Sequence, residues 1–138
     1  AVDWNLYSLY QDIYTARAND LGVLAAIAIR TCFDRASELK GIPTTASFSE
    51  KLDQLAKEQW ISHRDRNALK IMVNAGSAAA HSGWRPKETE LHAMQVILDG
   101  FLYRAFLQGD VAKTLESTVP DKAPTPAAER TNSNTAPK

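Results

Sequence analysis

Apolar positions recur along most of this chain at spacings of three and four, the period of an amphipathic helix, and no segment keeps the alternation of a strand. Leu6, Leu9, Tyr10, Ile13 and Tyr14 set the first stripe, and Asp3 stands where a carboxylate would cap the free amides of the opening turn, so a helix is predicted over residues 3–18. Trp4 and Tyr7 widen that stripe, and aromatics at helical spacing are expected to pack into a core rather than form a ligand platform. Asn19 and Asp20 break the pattern. A second helix, LGVLAAIAIRTCFDRASELKG, then runs from Leu21 to Gly41, where glycine ends it and Pro43 prevents its resumption. Its first half, Leu21 to Ile29, is apolar on every face, which predicts a helix enclosed at the centre of the fold.

The remaining pattern continues in the same way. Ser47-Phe48-Ser49-Glu50 has the form of a capping box, and a short helix to about Glu58 follows with Leu52 and Leu55 inward. Ser62-His63-Arg64-Asp65 supplies a second cap. The helix behind it, through Ala80, is expected to bury Leu69, Met72, Val73, Gly76 and Ala80, with Trp60 and Ile61 closing the turn before it. Residues 82–86 are a loop by composition. From Lys87 the period returns as Leu91, Met94, Leu98, Phe101 and Ala105, with Ile97 and Leu102 beside them; it fades near Gly109, and Val111 and Leu115 extend it. From Val119 the chain is proline-, alanine- and polar-rich and is expected to be a disordered tail or linker. Together these elements predict an all-α fold, an up-and-down bundle of about five helices over residues 1–118 with a tail at 119–138.

Composition narrows the functional classes. A chain of 138 residues with sixteen basic and sixteen acidic side chains suits one globular domain and gives no electrostatic reason for tight binding to nucleic acid or an anionic membrane. The longest apolar run is far short of the ~20 residues that span a bilayer. The single cysteine, Cys32, lies inside an apolar run and suits a reducing compartment. These features lead to the expectation of a soluble, cytoplasmic protein. No glycine-rich phosphate loop, paired-cysteine motif or serine elbow is present, and no two of His63, His81 and His92 share helical spacing, so neither a metal nor a cofactor is expected.

Candidate chemistry is confined to a few residues. Arg30 and Asp34 lie four apart on the helix expected to be most buried; they read as an internal ion pair that orients helices, or as support for a polar site that His81 joins. His81 closes the run Asn74-Ala75-Gly76-Ser77-Ala78-Ala79-Ala80. It reads as a residue complementing a helix C-terminus, or as an acid/base near neutral pH. The small residues imply close backbone approach, within the bundle or at a dimer seam. The loop carrying Trp84 is available for contact.

The stretches LAAIAIRTCFDRASELKG, SFSEKLDQLAKEQWIS and ALKIMVNAGSAAAHSG, followed by a long amphipathic helix, resemble the bacterial domain of unknown function DUF 4145, over about residues 8 to 107. The resemblance implies a helical module grouped with the HEPN superfamily and found attached to restriction-type and other defence proteins. It also implies a signature of arginine, asparagine, any residue, glycine, asparagine, any residue, alanine, alanine, histidine. Asn74, Gly76, Ala79, Ala80 and His81 fit that signature; Ser77 replaces the second asparagine, and Val73 stands where the arginine belongs. The family's pair on the second helix corresponds to Arg30 and Asp34. In HEPN ribonucleases the arginine holds the phosphate while the histidine helps move a proton, and a valine stabilises no developing charge. The expectation is therefore a noncatalytic interaction module, a homodimer or docked on a partner protein, with Arg30, Asp34, Asn74 and Trp84 as binding residues. The alternative is a metal-independent ribonuclease using His81, or a nucleic-acid-binding domain.

Overall fold

The computed structural model describes residues 3–121, and these divide into two units between residues 108 and 109. The first unit holds α1 (Trp4–Ala18), α2 (Gly22–Leu39), α3 (Phe48–Lys57), α4 (His63–Ser82), α5 (Glu88–Leu102) and a π-helical turn (Tyr103–Leu107) continuous with α5. Among the described residues there is no strand, and no helix is long and apolar enough to cross a membrane.

The helix starts follow from their caps. The Asp3 carboxylate accepts from the Leu6 amide at 2.7 Å, and full capping boxes open α3 (Ser47 with Glu50) and α4 (Ser62 with Asp65). Both boxes satisfy amides that a helix start leaves without a partner. Gly83, at φ +66°, ends α4 in the left-handed conformation that glycine adopts without steric cost.

The core is built round α2, which packs against α1, α4 and α5. Phe33 is its central side chain: fully buried, it meets the ring of Phe48 edge-on at 5.9 Å and the ring of Phe101 at 5.2 Å, which ties α2 to α3 and α5. Leu52 and Leu55 face inward from α3, and Leu91, Met94, Leu98, Phe101 and Ala105 from the last helix, as their spacing predicts. Gly76 lets α4 approach α2. A Cβ at that position would lie 2.6 Å from Cβ of Arg30 and 3.2 Å from the Ala26 carbonyl oxygen. The small-residue run thus serves packing within the bundle at Gly76 and Ala79.

Three expectations are corrected. Trp4, Tyr7 and Tyr14 are 72%, 53% and 51% exposed, and the only buried residues of α1 are Ile13 and Ala16, so the aromatic stripe is not core. The helix has more apolar positions than one neighbour can cover. Leu21 and Leu24 are likewise exposed, so α2 is central without being enclosed on every side. On α4 it is Ala79, one turn beyond Gly76, that is buried, while Ala80 faces out.

The second unit is described by α6 (Gln108–Thr118) and the three residues after it. All side chains of α6 are exposed, Val111 and Leu115 among them. The division between the two units falls between Gln108 and Gly109. The tail expected from 119 lies, from 122 onward, outside the described residues.

Candidate functional site

The residues singled out in the sequence do not converge on one place. Arg30 and Asp34 form an ion pair at 3.9 Å, yet their side chains are 34% and 30% exposed, so the pair is not the internal one expected. The nearer partner of Asp34 is Lys51 of α3, whose Nζ lies 3.0 Å away and whose side chain is largely buried. Asn74 and His81 are exposed on α4, seven residues apart, which places them on one face about 10 Å apart along the axis. Among the described residues no hydrogen bond or ion pair links His81 to Arg30 or Asp34. The last turn of α4 is closed instead by backbone: the amides of Gly83 and Trp84 donate to the Ala78 carbonyl, the latter at 3.2 Å. Val73 is 3% exposed. The position where the resemblance would put an arginine therefore faces the core, not the surface that holds His81.

A different place has the properties of a site. Between α1, the end of α2 and the π turn lies an open groove of ≈ 810 Å³, lined mainly by Leu6, Tyr7, Leu39, Tyr103, Phe106 and Leu107, with Asp3 and Asp99 as its charged lining residues. Its volume falls in the range of ordinary ligand and peptide sites. Tyr7, Leu39, Tyr103 and Leu107 are each more than a third exposed. Large side chains left uncovered side by side mark a surface that binds something.

The π turn makes one wall of the groove. The Gln108 amide bonds to the Tyr103 carbonyl five residues back, which widens the turn. Phe106 is held from behind by Lys40, whose Nζ sits 4.4 Å from that ring centre and 3.9 Å from the centre of Trp60. Arg104, also on the π turn, pairs with Asp65 of α4 at 2.9 Å.

The opposite wall, α1, is fixed by a polar seam. Arg35 donates to Asp3, with Nη2 to Oδ2 at 2.6 Å, and holds that carboxyl below the usual carboxylate range. Arg17 pairs with Glu88 at 2.8 Å and donates to the buried side chain of Gln95. The Tyr10 hydroxyl donates to Asp99 at 2.6 Å, and the Gln95 amide donates to the same hydroxyl at 3.4 Å. Burial, then donation to Asp99, raises the Tyr10 phenol above its ordinary value, so Tyr10 stays a donor. Asp99 forms no ion pair among the described residues.

Other cavities are less site-like, among them a small one of ≈ 90 Å³ between Arg17, Arg85 and Glu88. Another, of ≈ 180 Å³, lies beneath Trp60 and Phe101, and a polar, open one runs along α3. Cys32 is buried, and desolvation pushes its thiol up to about 12, which makes it inert rather than nucleophilic. Among the described residues no three His, Cys, Asp or Glu side chains gather to hold a metal ion.

Sequence reasoning missed the groove because Leu6, Tyr7 and Tyr10 fit a core stripe, while Leu39, Tyr103, Phe106 and Leu107 lie far from them in sequence and belong to no predicted stripe. The available signal was excess: seven of the eleven positions from Trp4 to Tyr14 are apolar or aromatic, more than one packed face requires.

Among known proteins, the family described as Domain of unknown function (DUF4145) matches this chain over residues 11–129. No curated protein and no solved structure matches it.

Proposed function

The chain belongs to the DUF4145 family, and from that premise we propose that it is a noncatalytic helical interaction module that docks a partner protein in the groove between α1 and the π turn. The observation that carries the reading is the groove itself: Tyr7, Leu39, Tyr103 and Leu107 stand uncovered around one open cavity. Burial of Val73 supports the noncatalytic half, because no cation at that position stands beside His81.

The test is binding with a matched surface variant. Leu107→Glu and Tyr103→Glu should abolish capture of the partner while leaving the thermal midpoint unchanged, since both side chains are exposed. Capture that is indifferent to both substitutions, or a chain that stays monomeric at high concentration and retains nothing, would overturn the reading. Concentration-dependent pairing lost in the same variants would identify the partner as a second copy.

A second reading, a HEPN-type metal-independent ribonuclease or nucleic-acid binder, draws on one observation: Asn74 and His81 share an exposed face of α4. Incubation of single-stranded RNA with the wild type and with His81→Ala, in chelator, decides it. Cleavage that requires His81 would establish the enzyme; equal or absent cleavage removes it.

A further inference from the structure

We infer that the groove takes a proline-rich, extended segment carrying one basic side chain. This rests on the docking reading above and adds the chemistry of the partner.

Two observations lead to it. The first is the kind of hydrogen-bonding group in the groove. Tyr7 and Tyr103 present rings, and among the described residues their hydroxyls make no hydrogen bond, whereas the Tyr10 hydroxyl is committed to Asp99. A helical occupant already satisfies its own carbonyls and would leave those donors unused. A polyproline II segment has no internal hydrogen bonds, so its carbonyls need donors, and its pyrrolidine rings stack on aromatic faces. Tyr7 on α1 and Tyr103 on the π turn offer a ring and a free hydroxyl from each side of the groove.

The second observation is charge. The charged residues lining the groove are Asp3 and Asp99. Asp3 is already neutralised by Arg35 at 2.6 Å, while Asp99 accepts only the Tyr10 hydroxyl and pairs with no cation among the described residues. Tyr10 engages one oxygen of that carboxylate, and the other has no partner among the described residues. Complementarity then calls for a lysine or arginine at the matching point of the segment.

The experiment uses the full chain and a fluorescein-labelled decapeptide of alternating proline and alanine with one central arginine, read by anisotropy. Binding should saturate. Replacing the arginine with glutamate, or the prolines with alanine, should each weaken it by about tenfold or more. Asp99→Asn keeps the acceptor for Tyr10 and should weaken the arginine peptide by a similar factor, while leaving an otherwise identical peptide with glutamine in place of the arginine unaffected. Tyr103→Leu should weaken all the peptides. Failure of the proline peptide to bind, alongside groove-dependent capture of a partner, would sink this inference and leave the docking reading standing. Failure of both would sink both. Preference for an amphipathic helical peptide, or self-association blocked by Leu107→Glu, would also overturn the proline-rich occupant.

Discussion

Where α4 crosses α2, the chain uses small residues and leaves no room. Where α1 faces the π turn, it uses large aromatic residues and leaves an open groove. At the first place Gly76 sits so close to Arg30 that a single methyl would collide with it; at the second, Tyr7, Tyr103 and Leu107 have half or nearly half of their surface in solvent. Both regions read as apolar in the sequence, and the difference between them lies in what covers them. The closed region contributes stability, because every side chain there is already in contact. The open region contributes nothing comparable until something binds, so its size is better explained by a partner than by folding.

The sharpest way to break this comparison is to truncate one side chain in each region. Phe33→Ala removes the ring that joins α2 to Phe48 and Phe101, and should destabilise by ~3–5 kcal/mol, read as a lower denaturant midpoint at constant slope. Leu107→Ala should change stability by no more than ~0.5 kcal/mol. Similar losses from both would mean that the groove is structural after all.

Glycine substitutions sharpen the same contrast with smaller effects. Gly76→Ala should destabilise by ~1–3 kcal/mol although alanine favours helix, because the nearest atoms are a Cβ and a carbonyl oxygen, which move only with the backbone. Gly100, on α5, has nothing within 4 Å of the point where a methyl would stand, so Gly100→Ala should instead stabilise by ~0.5–1 kcal/mol. Opposite signs in urea titrations would mean that crowding, and not glycine itself, decides. The same sign at both would remove the close-packed reading of the α2–α4 crossing.

Much of the closed region was legible in the sequence, for a physical reason. Caps such as Ser47 with Glu50 are local, and the stripe Leu91, Met94, Leu98, Phe101 and Ala105 belongs to a helix with one covered face, so spacing alone determines what is buried. The open region was not legible, because the spacing of Leu6, Tyr7 and Tyr10 is the same whether or not a neighbour arrives. Its other half depends on Leu39, Asp99 and Phe106, which are distant in sequence from α1 and meet it only through the fold. The π turn adds a change of helical phase that no propensity announces. Arg30, Asp34 and His81 were conspicuous by residue type. His81 lies apart from the Arg30–Asp34 pair, and Asp34 finds its nearer partner in Lys51 of α3, a residue that the fold and not the sequence brings to it.

The smallest expected effect tests how the edge of the groove is held. Asp3 caps α1 and binds Arg35 of α2, and that guanidinium, then the Leu6 amide, keeps its carboxyl below the usual range. A depressed carboxylate stabilises the fold above its unfolded value, near pH 4, and the contribution fades as pH falls through the lower folded value. Asp3→Asn preserves an equally good cap but not the charge. The stability gap between wild type and variant should therefore be widest near neutral pH and close as the solution is acidified towards about pH 2, measured as urea midpoints across that range. A gap that stays constant down to the lowest pH would show that Asp3 acts only as a cap. In that case the start of α1 is not tied by charge to α2, and the groove wall carrying Tyr7 is free to adjust to what it binds.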